Sequence, residues 1–164
     1  MNTLLLGVGN LLLSDEGVGV RTIEALEQRF RFPDEVVLQD GGTSGMELME
    51  VMANRDLLVV VDAVQSESAP GSLFILEDND VPAYFTERLS PHQLGLADVL
   101  MALHMTDEFP RKLILLGIEP ASLAPGMCLS PVVACAMEAA MAKVIHILDN
   151  HGIHATALEN DRVR

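Results

Sequence analysis

The first apolar run of the chain, Thr3-Leu4-Leu5-Leu6-Gly7-Val8, is short and unbroken, the pattern of a strand buried on both faces of a sheet. Behind it, Val18, Thr22, Ile23, Leu26 and Phe30 recur at helical spacing and predict a helix with one side against a core. Pro33 marks a turn, and residues 35–39 read as a second short strand. Asp40-Gly41-Gly42-Thr43 comes next, followed by a helix opened by Ser44 with Glu47 three residues on, a capping box. The third strand, 56–62, is Val-rich and apolar until it meets Asp62. Strands alternating with helices in this way predict a parallel sheet with right-handed crossovers.

The next connection departs from that pattern. Between Asp62 and a fourth strand at 72–76 there is no room for a crossover helix, and parallel pairing needs about a dozen linking residues or more. The fourth strand is therefore expected to run antiparallel, at an edge. Ser90-Pro91-His92 opens a third helix, with Ser as N-cap and Pro at the first helical position. Its body, 94–103, is apolar nearly all round and is expected to be well buried. A fifth strand spans 112–117. After a long loop, Ser130-Pro131 repeats the cap-plus-proline start, and Val133, Met137, Met141, Val144 and Leu148 face the core. Past His151 the pattern ends, so 1–150 reads as a single domain and 151–164 as a frayed tail.

Composition narrows the picture. The 164 residues suit one domain, and 49% apolar content supports a core without disulfides. With no Trp and few aromatics, Leu, Val, Ile, Met and Ala must fill that core. Nine Met residues serve as core gap-fillers, or mark an adaptable binding surface. A net charge of −14, from 24 acidic against 10 basic residues, argues against nucleic acid or an anionic membrane as partner. Cys128 and Cys135 form neither a disulfide framework nor a zinc knuckle, and Cys135, inside an apolar helical pattern, reads as a buried thiol. No basic segment precedes the first apolar run, as a signal peptide would require, and no apolar stretch reaches bilayer length. The chain reads as soluble and cytoplasmic, and a monomer is compatible with it.

In an open α/β sheet, ligands bind beyond the carboxyl ends of the parallel strands. Gly7-Val8-Gly9-Asn10 and Ser14-Asp15-Glu16-Gly17 lie there after the first strand, Asp40-Gly41-Gly42-Thr43 after the second, and Asp62 at the end of the third. His92 stands at the second position of the third helix. Acidic residues at a helix start also complement its dipole, which is a sufficient structural reason for Asp15 and Glu16. Asp62 differs, because a carboxylate directly after five apolar strand residues is costly to bury unpaired. The positive end of a helix disfavours protonation of His92, and a neutral ring keeps a lone pair for a metal. Two carboxylates and one imidazole make a mixed oxygen and nitrogen set suited to nickel or zinc, without choosing between them.

Competing templates fit less well. Gly7-Val8-Gly9 imitates a dinucleotide fingerprint, but its third glycine is replaced by Leu12. A phosphate-accepting receiver would share the acidic pair and Asp62, yet Gly117-Ile118-Glu119 stands where its lysine belongs. No metalloprotease helix motif, phosphate-binding loop or nucleophile elbow is present, and Ser14 and Ser44 read as caps.

Gly7-Val8-Gly9-Asn10, Ser14-Asp15-Glu16-Gly17-Val18-Gly19 and Asp40-Gly41-Gly42-Thr43 together resemble the hydrogenase maturation endopeptidases. Leu89-Ser90-Pro91-His92-Gln93-Leu94-Gly95-Leu96 and Gly117-Ile118-Glu119-Pro120 extend the resemblance, in the same order, across roughly positions 3–150. The resemblance implies a three-layer α/β/α fold whose mixed five-stranded sheet has the order 2-1-3-5-4. It implies an endopeptidase that removes a short C-terminal peptide from a nickel-loaded hydrogenase large-subunit precursor. It places the metal positions on Glu16, Asp62 and His92, with nickel carried by the substrate and another divalent ion able to substitute. Gly41, Gly42 and Thr43 are candidate substrate contacts. Asp40 is a candidate helper in hydrolysis, or a structural turn residue. A non-enzymatic nickel checkpoint built from the same three ligands is the alternative from a different class, and a receiver-like domain the weakest.

Overall fold

The computed structural model describes residues 1–86 and 91–158. Its main sheet is built from β1 (Thr3–Val8), β2 (Val36–Gly42), β3 (Leu57–Ala63), β4 (Leu73–Glu77) and β5 (Lys112–Ile118), in the order β2-β1-β3-β5-β4. β1 pairs parallel with both β2 and β3, β3 pairs parallel with β5, and β4 lies antiparallel on β5 at the edge. The order and the antiparallel fourth strand are those expected.

Side chains of successive strand residues point to opposite faces, so each apolar run supplies two cores. Leu5, Val59, Val61, Ile114 and Leu116 face one layer, formed by helices α1 (Val18–Arg29) and α5 (Pro131–Asn150). Leu4, Leu6, Leu58, Val60, Leu113 and Leu115 face the other, formed by α2 (Met49–Met52), α3 (Asp80–Thr86) and α4 (Pro91–Met105). Each fully buried Leu or Val contributes about 1.5–3 kcal/mol of transfer free energy, and this double-sided burial is what drives the three-layer arrangement. Glycine sets how closely α1 lies on the sheet. A Cβ on Gly7 would come within 2.5 Å of the Gly19 carbonyl oxygen, and one on Gly19 within 2.1 Å of the Val61 carbonyl oxygen.

Several expectations are corrected. The Ser44–Glu47 capping box does not form. The Ser44 amide donates back to the Gly41 carbonyl at 2.9 Å, Gly45 takes the N-cap position, and a 3₁₀ turn (Met46–Leu48) leads into the short α2. β2 runs on through Asp40 to Gly42, so those residues belong to the strand end rather than to a turn after it. α3 is too short for its one buried turn, Val81 and Phe85, to stand out as a helical pattern. α4 is buried on one side only: Leu96, Val99, Leu100 and Leu103 are inside, while Met101 and Met105 are exposed. Cys135 is exposed too, because apolar residues surround α5 on all sides and only one side meets the sheet. α5 is also long and apolar enough to match a bilayer, contrary to expectation. Here Val133, Ala136, Ala140, Val144 and Leu148 bury one side of it on the sheet, the arrangement of a core helix. The segment after His151 is held rather than frayed as far as it is described: Ile153 is buried, and Thr156–Ala157 pairs antiparallel with Phe30–Arg31. Positions 159–164 of the expected tail lie outside the described residues.

Candidate functional site

Glu16 sits in a 3₁₀ turn (Ser14–Gly17) that links β1 to α1. The turn packs on the end of β3, and its geometry depends on Gly9. That residue has φ of +131°, and a Cβ there would fall 1.9 Å from the Glu16 carbonyl oxygen. No residue but glycine satisfies both conditions. Glu16 is half-buried. Asp62 is the penultimate residue of β3, paired with Gly117 of β5, and fully buried. Because Gly19 rests on the carbonyl of Val61, the start of α1 is pressed against the strand one residue before Asp62. Both carboxylates thus belong to the carboxyl edge of the sheet.

The His92 side chain lies outside the described residues, as do Ser90 and the residues just before it. The backbone of His92 is the second residue of α4. One turn further on, a Cβ on Gly95 would lie 3.3 Å from the Cα of Gly45, so α4 touches the segment leaving β2 almost backbone to backbone. The start of α4 therefore comes to the same edge as β2. Among the described residues no three ligand-type side chains converge, and the expected third ligand is His92.

The Asp40 segment has a clear local structure. Asp40 is exposed, and its Oδ1 accepts the Gly42 amide at 2.8 Å. Gly42 has φ of +50°, and its carbonyl accepts the Gly9 amide at 2.8 Å, tying the end of β2 to the end of β1. Gly41 is buried, and a Cβ there would meet a Leu6 methyl at 2.9 Å. Thr43 alone of the three candidate substrate contacts is exposed.

Two further carboxylates organise the edge. Asp15, fully buried, accepts four hydrogen bonds: from the amides of Ala121 at 2.9 Å, Ser122 at 3.0 Å and Ser130 at 2.7 Å, and from the Ser130 hydroxyl at 2.8 Å. Burial pushes its carboxyl up, but the donors from Ser130, Ser122 and Ala121 together outweigh that and hold it below the usual carboxylate value. The Ser130 side chain, expected to cap α5, serves Asp15 instead. Glu119, nearly buried, accepts from the Ser66 amide and hydroxyl, each at 2.8 Å, and from the Ser68 amide at 3.3 Å. It fixes the loop that leaves β3 just beyond Asp62. Glu119 carried the same signal that singled out Asp62, a carboxylate directly after an apolar strand. Asp15 carried no local signal, since all its donors are more than a hundred positions away in the chain.

The structure also has an open groove of about 590 Å³ beside α2, lined in part by Met46, Glu47, Met49, Glu50 and Glu108. It includes neither Glu16 nor Asp62.

Comparison with known proteins bears on this arrangement. Residues 20–147 match the family model described as hydrogenase maturation protease. The chain is 54% identical over 160 residues to the hydrogenase 2 maturation protease of Escherichia coli strain K12, covering 97% of this chain and 98% of that protein. It is 44% identical to the hydrogenase expression/formation protein HupM of Azotobacter chroococcum, covering 98% and 78% of the two chains. In three dimensions it resembles the hydrogenase maturating endopeptidase HybD of Escherichia coli with a TM-score of 0.94 over 96% of this chain and 98% of that one.

Proposed function

The chain belongs to the hydrogenase maturation protease family, and from that premise we propose that it recognises its hydrogenase large-subunit precursor through nickel, by Glu16, Asp62 and His92. It is an endopeptidase of that precursor. The observation that carries the metal reading is positional. A half-buried carboxylate after β1, a fully buried one at the end of β3 and the start of α4 all belong to the carboxyl edge of one sheet.

The donor chemistry fits a borderline divalent ion. Two carboxylates and an imidazole leave coordination positions open, whereas a permanent structural site usually closes with four protein ligands, often thiolates. Neither Cys128 nor Cys135 is among the three proposed positions. The open positions are for donors on the precursor, so metal and protein are read together and a metal-free precursor lacks the shared partner. Held by Glu16, Asp62 and His92, a divalent ion would supply Lewis-acid chemistry toward a carbonyl or a bound water. The protein's share is positional: Asp15 and Glu119 fix the loops around the edge, Gly9 fixes the turn that bears Glu16, and Asp40 holds the Gly41-Gly42 strand end in shape. We place the reaction in the cytoplasm.

The test is direct. Purified protein is incubated with nickel-loaded precursor, and the precursor mass is followed. Loss of a C-terminal peptide supports the processing reading. Tight binding without mass loss would instead support a nickel checkpoint that does not cut.

A further inference from the structure

We propose that the uncharged rim formed by Leu12, Pro125 and Met127 is the surface on which an apolar, uncharged segment of the hydrogenase precursor docks. The proposal rests on the processing reading above and specifies the chemistry of its substrate.

Charge is the first observation. In a chain with net charge −14, no charged residue precedes Asp15 and none lies between Glu119 and Glu138. The fold brings these two distant uncharged stretches together. Leu13 and Gly126 form a parallel bridge, the Gly126 amide donates to the Leu12 carbonyl at 2.9 Å, and the Ser14 amide donates to the Gly126 carbonyl at 2.8 Å. The Ser14 hydroxyl adds a bond to the Ala124 carbonyl at 2.7 Å.

At this junction the apolar side chains face water. Leu12 is 60% exposed and Met127 61% exposed, and Pro125, next to the bridging Gly126, is exposed as well. Neither large side chain contributes to either core, so packing does not explain them. The rim is also held in shape. Asp15 clips the 121–130 loop at three residues, and Arg21 Nη2 donates to the Met127 carbonyl at 3.1 Å. An apolar surface fixed in advance loses little ordering entropy when a partner arrives, and a Met side chain adapts to its shape.

The occupant follows from continuity. Ser14, which ties its own loop to the 121–130 loop through Gly126 and Ala124, begins the 3₁₀ turn that carries Glu16. A precursor segment approaching Glu16 from this side crosses the rim. The acidic excess elsewhere on the chain repels carboxylates, and the cation beside the rim, Arg21, is engaged by Glu24 at 3.3 Å and by the Met127 carbonyl, so the segment the rim takes is apolar and uncharged.

The experiment compares Leu12→Glu and Met127→Glu with the wild type on purified nickel-loaded precursor. Equilibrium binding to uncut precursor is measured alongside processing. Met105→Glu, an 83% exposed apolar position at the far end of α4 from His92, controls for added charge. The rim variants should raise KM and Kd about tenfold with kcat within about twofold, the signature of lost uniform binding. Met127→Leu should behave as wild type, and so should Met105→Glu. Unchanged KM and Kd in both rim variants would overturn the proposal, as would an equal loss in Met105→Glu. A wild-type dimer dissociated by the rim substitutions would assign the surface to a second copy and overturn it as well. If the wild type binds precursor without cutting it, and rim variants lose that binding, the rim stands and the peptidase reading falls.

Discussion

At Asp15 one buried carboxylate joins parts of the chain that local pattern cannot connect. Its two oxygens take up three amides and a hydroxyl from the 121–130 segment. Hydrogen bonds to a charged group are worth about 1.5–3 kcal/mol each, and truncation leaves buried donors unsatisfied. Asp15→Ala should therefore cost about 3 kcal/mol in urea unfolding; a loss within about 0.5 kcal/mol would mean the loop is held by other contacts. Its neighbour plays a different part. Glu16 is half-buried at the edge and contributes no apolar core contact, so Glu16→Gln should keep the unfolding midpoint near wild type while slowing processing about a hundredfold or more. Full processing by a folded Glu16→Gln protein would remove Glu16 from the metal set. The sequence distinguished these adjacent residues only through resemblance. By local chemistry both read as dipole complements, because the partners of Asp15 are remote.

Among the elements, legibility followed how far each one depends on its own residues. β1, β3 and β5 are continuous apolar runs buried on both faces, and the sequence reading found them within a residue at each end. The antiparallel β4 was legible from a connection too short for a crossover. α3 was not, being seven residues whose apolar face is the single i, i+4 pair Val81 and Phe85, and α2 shrank because Ser44 bonds back to Gly41 instead of capping. Partial exposure of α4 and α5 was also hidden, since apolar residues on the outer side of a helix look the same in sequence as those on the inner side. α4 is positioned by the Gly95–Gly45 contact. Gly95→Leu should relieve the helix penalty of glycine, about 1 kcal/mol, but force the backbones apart. The expected net result is reduced processing with helix content retained, read by circular dichroism and a precursor assay; undiminished processing would mean that α4 need not sit so close. The β4–β5 edge carries a pH-dependent contact. Lys112 Nζ meets Glu77 at 2.6 Å and Asp78 at 3.1 Å, and these two carboxylates raise its pKa. Its contribution to stability is fully present below the unfolded value of about 10.4 and is lost as pH rises through the folded value. The stability difference between wild type and Lys112→Met should hold steady from about pH 7 to 9 and decline above about 10.4; a difference that grows with alkali would contradict the assignment.

Over the whole molecule, a three-layer sandwich supplies a platform, and the proposed chemistry belongs to the carboxyl edge of its sheet. Beside the proposed ligands Glu16 and Asp62 lies a rim without acidic side chains, so a cation and an apolar segment are the features of a precursor that we propose it reads. The strand order came through the family resemblance, whereas the antiparallel fourth strand was legible from a connection too short for a crossover. The loop clips at Asp15 and Glu119 were not, because they join segments far apart in the chain. The central claim is that nickel in the precursor, rather than a metal kept by the enzyme, licenses cleavage. The measurement that tests it most directly uses enzyme stripped with chelator, then freed of the chelator, and mixed with purified precursor prepared with and without nickel. Mass spectrometry follows the precursor over time. Only the nickel-loaded form should lose its C-terminal peptide; equally rapid processing of the metal-free form by the stripped enzyme would contradict the account.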